Sequence, residues 1–151
     1  RFFAAQLELA RQHQKPALLH IRKAHAEALQ MLKAQRFALG GIAHAFSGGV
    51  EEAKAFVKLG FKIGVTGQIT NPNAKKLHAA VQALGAAHLV LETDCPDMAP
   101  LCCQHGAERT RNTPENLPYV LQGLAQSLQM DEVQLAHQLW RNSLDALHLT
   151  A

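Results

Sequence analysis

Four short apolar runs are spaced along the chain: Ala17-Leu18-Leu19-His20-Ile21, Ile42-Ala43-His44-Ala45-Phe46, Phe61-Lys62-Ile63-Gly64-Val65 and His88-Leu89-Val90-Leu91-Glu92. None is long enough to show a helical stripe, so each reads as a buried strand. Between them lie stretches with helical spacing, from about Lys23 to Arg36, from Val50 to Leu59, and up to about Leu84 behind Asn73, which is placed to cap that helix. Pro16, Gly40-Gly41, Gly60 and Gly85 punctuate the pattern. Glu51 and Glu52 fall in a first helical turn, where negative charge is favoured. Continuous apolar strands alternating with helices predict a parallel sheet covered by helices, an α/β fold. A full (β/α)8 barrel needs about 250 residues. With 151 residues and four strand signals, this chain reads as half of one, an open doubly wound sheet being the alternative.

The remainder fits a single domain over residues 1–151. An amphipathic helix runs from Arg1 to about Gln14, a long proline-containing loop from Thr93 to about Pro114, and two closing helices cover roughly Glu115 to Leu128 and Asp131 to Leu147. Loops of that length in compact domains are often functional. With 48% hydrophobic and 18% charged residues the chain is not disordered. No apolar run approaches the ~18 residues of a spanning helix and no leader opens the chain, so the expectation is a soluble, cytoplasmic protein. The opening Arg1, inside a helix, suggests a fragment or a processed product. Cys95, Cys102 and Cys103 are too few and too clustered for a disulfide framework, which fits a reducing compartment. A net charge of +3, scattered along the chain, does not repel a polyanion but is weak support for binding one.

In parallel α/β folds the site lies at the carboxyl ends of the strands. There stand His20 with Arg22 beyond it, His44 followed by Phe46 and Ser47, and Glu92, Thr93 and Asp94. Two imidazoles and two carboxylates on one rim suit zinc, manganese or magnesium, and read as a metal-hydrolase site. Taken singly, each has a plainer reading. A strand-end histidine is commonly structural, Asp94 before a proline-containing turn can cap it, and Arg22 can serve an ordinary ion pair. Glu92 reads best as a partner that orients a ligand. Cys95, Cys102, Cys103 and His105 lack the paired spacing of a structural zinc site, and no phosphate-binding loop, dinucleotide fingerprint or nucleophile elbow occurs.

PALLHIR at Pro16 to Arg22, HAFSGG at His44 to Gly49, FKIGVTGQITNP at Phe61 to Pro72, LETDCPDM at Leu91 to Met98 and RNTPENL at Arg111 to Leu117 occur in this order. Together they resemble the TatD family of metal-dependent deoxyribonucleases, particularly its YjjV-like branch, over essentially the whole chain. The resemblance implies a (β/α)8 TIM barrel of the amidohydrolase type that binds divalent metal ions (Zn, Mg or Mn) and hydrolyses DNA phosphodiester bonds. It implies that His20, His44 and Asp94 are metal ligands, with Asp94 also the base, and that Glu92 stands behind them. Arg22 would neutralise a substrate phosphate, while Arg111 and Asn112 would shape the rim and contact substrate.

The chain also departs from that pattern. The family's His-x-His pair on its first strand and its fourth-strand glutamate are not found, so the four strands here correspond to the carboxyl-terminal half of the barrel. Near the carboxyl end the family's Asn-x-x-x-Leu-Phe is replaced by Asn142 followed by Ala146 and Leu147. Half a barrel leaves two strand edges unpaired. The expectation is that an amino-terminal half absent from this chain, or a second copy in a homodimer, completes it, and that the chain alone is inactive unless completed. A metal-dependent amide, ester or lactone hydrolase on the same barrel, and an inert half-barrel acting only by association, are the alternatives.

Overall fold

The computed structural model describes residues 1–106 and 110–150. Its sheet holds strands β1 (Ala17–His20), β2 (Gly41–His44), β3 (Phe61–Val65) and β4 (Leu89–Leu91), all parallel and in sequential order. Helix α1 (Phe2–Gln12) precedes the sheet, and α2 (His25–Ala34), α3 (Val50–Lys58) and α4 (Lys75–Leu84) connect its strands. Helices α5 (Leu117–Leu128) and α6 (Glu132–Ala146) close the described chain. The expected α/β class and the parallel sheet are both present.

Sequential parallel strands need crossovers of one hand, which puts the connecting helices on one face of the sheet. Strand alternation divides the side chains accordingly. Leu19, Ala43, Ile63 and Leu89 enter the main core with Leu32, Phe56, Leu77 and Leu124 from the helices. The opposite face carries Leu18, His20, Ile42, His44, Lys62, Gly64 and Val90. There Ile42 and Val90 pack on Ala146 and Leu147, from the end of α6 and the residue after it. Asn142 fastens α6 to the start of β4, its amide Nδ2 donating to the carbonyls of Ala86 and Leu89 at 2.7 Å each.

Several boundaries differ from the sequence expectation, each for a local reason. Helix α2 starts two residues after Lys23, whose φ of 55° lies outside the helical region. Strand β2 stops at His44 because Ala45, at φ 45°, turns the backbone. Asn73 does not cap α4. Ala74 holds that position, and Asn71 Oδ1 instead accepts the Asn73 N–H at 2.9 Å, forming a turn ahead of the helix. Asp131 does cap α6, accepting the Gln134 N–H at 2.9 Å. Among the described residues no helix is long and apolar enough to cross a membrane.

Candidate metal centre at the carboxyl ends of the strands

The register of β1 and β2 sets His20 beside His44, with ring centroids 5.7 Å apart. Glu92 follows the last residue of β4, and its N–H donates to the Val65 carbonyl at 3.0 Å, which continues the ladder and aims its side chain across β3 toward β2. The Glu92 carboxylate meets His44 Nδ1 at 2.7 Å and accepts the backbone N–H of Ala45. On the other side of the imidazole, His44 Nε2 lies 2.9 Å from Asp94 Oδ1. His44 is thus held between two carboxylates, Glu92 behind it and Asp94 in front.

Burial favours the neutral imidazole. The hydrogen bond and charge of Glu92, with those of Asp94, outweigh it and raise the His44 pKa above the usual 6.5. Gly64 makes this arrangement possible, because Glu92 lies across it and a Cβ there would stand 2.7 Å from Glu92 Cδ. A glycine inside a strand is the sequence mark of such an approach. Neither Gly64 nor the Ala45 N–H was identified from sequence as part of the site, although the glycine carried that signal.

The donor chemistry fits a divalent ion in part. Two ligand atoms each about 2.1 Å from one metal at a right angle are about 3 Å apart, so the 2.9 Å between His44 Nε2 and Asp94 Oδ1 suits adjacent positions on one ion. Glu92 at Nδ1 is the carboxylate that commonly fixes a ligating histidine's tautomer and ring plane. Yet among the described residues no three His, Cys, Asp or Glu side chains form a group that could hold an ion. His20 is exposed beside the pair without closing it.

Arg22 and Arg111 are exposed, on the segment after β1 and on the loop before α5 respectively. Asn112 is buried at 1% exposure, and its side chain serves the loop. Nδ2 donates to the Thr93 and Asp97 carbonyls at 2.7 Å each, while Oδ1 accepts from Thr113 N–H at 3.0 Å and Asn116 Nδ2 at 2.9 Å. With both protons and both lone pairs occupied, the Asn112 side chain braces the loop at the rim of the site. The cysteines are free; partial burial, with the adjacent Cys102 sulfur, pushes the Cys103 thiol up, which is the opposite of an activated nucleophile.

A cavity of about 1140 Å³ runs along the free edge of β1, lined by Phe3, Leu7, Leu18 and Met31 and reaching His20 and Arg22. His44, Glu92 and Asp94 lie outside it. The chemistry follows the carboxyl ends of the strands, while this trough marks an unpaired edge.

The sequence model for TatD related DNase matches residues 1–148. The uncharacterized metal-dependent hydrolase YjjV of Escherichia coli is 38% identical over 138 residues, which are 91% of this chain and 52% of that protein. The 3'-5' ssDNA/RNA exonuclease TatD of Edwardsiella piscicida is 37% identical over 131 residues, 85% of this chain and 50% of its own length. The chain therefore spans about half the length of these curated relatives. The crystal structure of the Escherichia coli TatD homolog YjjV superposes with a TM-score of 0.86 at 34% identity, covering 96% of this chain and 54% of the other. A TatD family hydrolase from Entamoeba histolytica shares the fold at TM-score 0.81 and 20% identity.

Proposed function

Since the chain belongs to the TatD family, we propose that it is the carboxyl-terminal half of a (β/α)8 metal-dependent hydrolase that cleaves phosphodiester bonds in DNA. The observation that carries this reading is His44 clasped between Glu92 and Asp94 at the carboxyl ends of the strands. His44 and Asp94 would hold the ion, and His20, exposed on the neighbouring strand, would have to turn toward it to serve as a third ligand. The remaining ligands come from outside this chain. A bound divalent ion supplies Lewis acidity toward the phosphoryl oxygens and acidifies water at neutral pH.

The chain's own residues have separable tasks. Glu92 fixes the imidazole plane of His44 and keeps Nδ1 protonated, which would leave Nε2 available to an ion. Asp94 accepts a proton from the attacking water. Arg22 and Arg111 place positive charge at the rim, where a polyanionic substrate gains most from it. The relatives named as ssDNA/RNA exonucleases support a nucleic-acid substrate for the whole barrel. The free edges of β1 and β4 and the apolar trough beside β1 are where the rest of the barrel docks, either the amino-terminal half or a second copy.

The test is cleavage of a labelled single-stranded oligonucleotide by this chain with magnesium, manganese or zinc, beside Asp94→Asn. Metal-dependent cleavage that the substitution abolishes supports the reading and shows that the site is completed, with native mass identifying a dimer. If neither protein cleaves, the activity requires the amino-terminal half. Hydrolysis of neutral esters with no action on the oligonucleotide, by the chain or by the completed barrel, would instead favour an ester, amide or lactone hydrolase.

A further inference from the structure

We infer that Asn112 is a positioning residue that aims the Asp94 carboxylate at His44, by clamping the backbone on both sides of Asp94. This rests on the functional reading of Asp94 given above. Asp94 sits at φ 54°, a left-handed conformation unfavourable for a non-glycine residue, so something must hold it there. The Thr93 carbonyl belongs to the peptide plane that sets φ of Asp94, and Asn112 Nδ2 donates to that oxygen at 2.7 Å. The second Nδ2 proton goes to the Asp97 carbonyl at 2.7 Å, and the Asn112 backbone N–H goes to the Pro96 carbonyl at 2.9 Å. Asp97 N–H in turn donates to the Asp94 carbonyl at 2.9 Å, closing a turn around the aspartate.

The clamp is itself anchored. Asn112 Oδ1 accepts from Asn116 Nδ2, and Asn116 Oδ1 receives the Cys103 thiol at 3.5 Å, so the turn is tied to the residue immediately before α5. No other side chain of this size supplies two donors and an acceptor on one planar group. Aspartate at 112 would set a carboxylate against two carbonyls, and leucine would leave them unpaired. Glu92, by contrast, is fixed from β2 through Ala45 N–H and His44 Nδ1, with no link through Asn112. Removing Asn112 should therefore loosen one side of His44 and leave the other in place.

Nitrogen-15 spectra of the histidine rings in the full, metal-free chain, recorded under conditions where both ring N–H signals of His44 are observed, test this. Asp94→Asn and Glu92→Gln assign the two hydrogen-bonded signals. In Asn112→Ala the Nε2–H resonance facing Asp94 should be lost to exchange, while the Nδ1–H resonance facing Glu92 persists. Two unchanged resonances, or loss of both in a chain that keeps its folded spectrum, would overturn the inference. If Asn112→Ala does not fold, Asn116→Ala removes one anchor of the clamp and should broaden the Nε2–H signal alone; an unaltered spectrum there refutes the clamp. The readout needs neither metal nor oligonucleotide. Failure of the nuclease reading, seen in the cleavage assay, is thereby distinguishable from failure of this one.

Discussion

Adding a single methyl group at Gly64 perturbs the site through Glu92, which supplies the three nearest atoms. In Gly64→Ala the new Cβ stands 2.7 Å from Glu92 Cδ and 3.0 Å from Oε2, whereas carbon atoms rest at about 3.5–4.0 Å. The glutamate must move by about 1 Å, enough to disengage the short contacts with His44 Nδ1 and Ala45 N–H. Hydrogen bonds to a charged group contribute about 1.5–3 kcal/mol each. Water reaches this rim, where 16% of the Glu92 side chain and 24% of His44 are exposed, so a combined loss of about 2 kcal/mol is the reasonable figure. Alanine in a strand interior returns about 0.5–1 kcal/mol relative to glycine. The net destabilisation is about 1–1.5 kcal/mol, or a fall in Tm of about 2–6 °C.

The mechanism is isolated by repeating the substitution in a Glu92→Ala background, where the side chain over Gly64 is gone. The methyl then enters vacated space, and Gly64→Ala should become stabilising by about 0.5–1 kcal/mol. The coupling between the two positions is accordingly about 2 kcal/mol. Thermal and urea unfolding followed by circular dichroism on the four proteins measures it. Equal destabilisation by Gly64→Ala in both backgrounds would refute the reasoning, because the harm would then arise in the sheet backbone and not in the glutamate.

Asn142 is buried, and its Nδ2 serves the carbonyls of Ala86, just before β4, and Leu89, at its start; Asn142→Leu strands both and should cost about 2–4 kcal/mol in urea unfolding, with a cost below 1 kcal/mol counting against the account. Asp131→Ala removes the exposed cap of α6 and should lower stability by about 1 kcal/mol with an unchanged m-value. Ala45→Gly relieves a left-handed alanine beside His44. The relief of about 1–2 kcal/mol is partly offset by the greater entropy of an unfolded glycine, so its Tm should stay level or rise, and a clear fall would mean that the alanine methyl packs usefully.

Apolar patterning located all four strands, and for β3 the expected and observed limits coincide at Phe61 and Val65. The misplaced limits lie where backbone conformation, not hydrophobicity, ends an element. Ala45 and Phe46 are as apolar as any strand residue, and Phe46 is indeed buried, but φ of 45° at Ala45 has already turned the chain. Lys23 is a sound helix former by type and sits left-handed before α2. Asn71 and Asn73 are equally good caps, and only the observed turn shows that Asn71 uses its side chain first.

Within the site, legibility depended on whether a residue's type limits it to one task. Histidine and aspartate at strand ends each have a plainer structural reading when taken singly, but their coincidence on one rim narrows it, and His44 and Asp94 do meet at 2.9 Å. Asn112 suits substrate contact and loop bracing equally by type, and its saturation by four partners could be seen only in three dimensions. The residues that complete the clasp are a glycine and an alanine, and one of them acts through its main chain, where side-chain chemistry leaves no trace. Their placement implies a division of labour within the half-site. Glu92, Gly64 and Ala45 fix His44 from behind, the Asn112 clamp fixes Asp94 in front, and the two devices share no hydrogen bond. One of the two side chains can therefore lose its aim while the other keeps it, and an ion held by both, as proposed, would be more sensitive to either loss than the stability of the fold is.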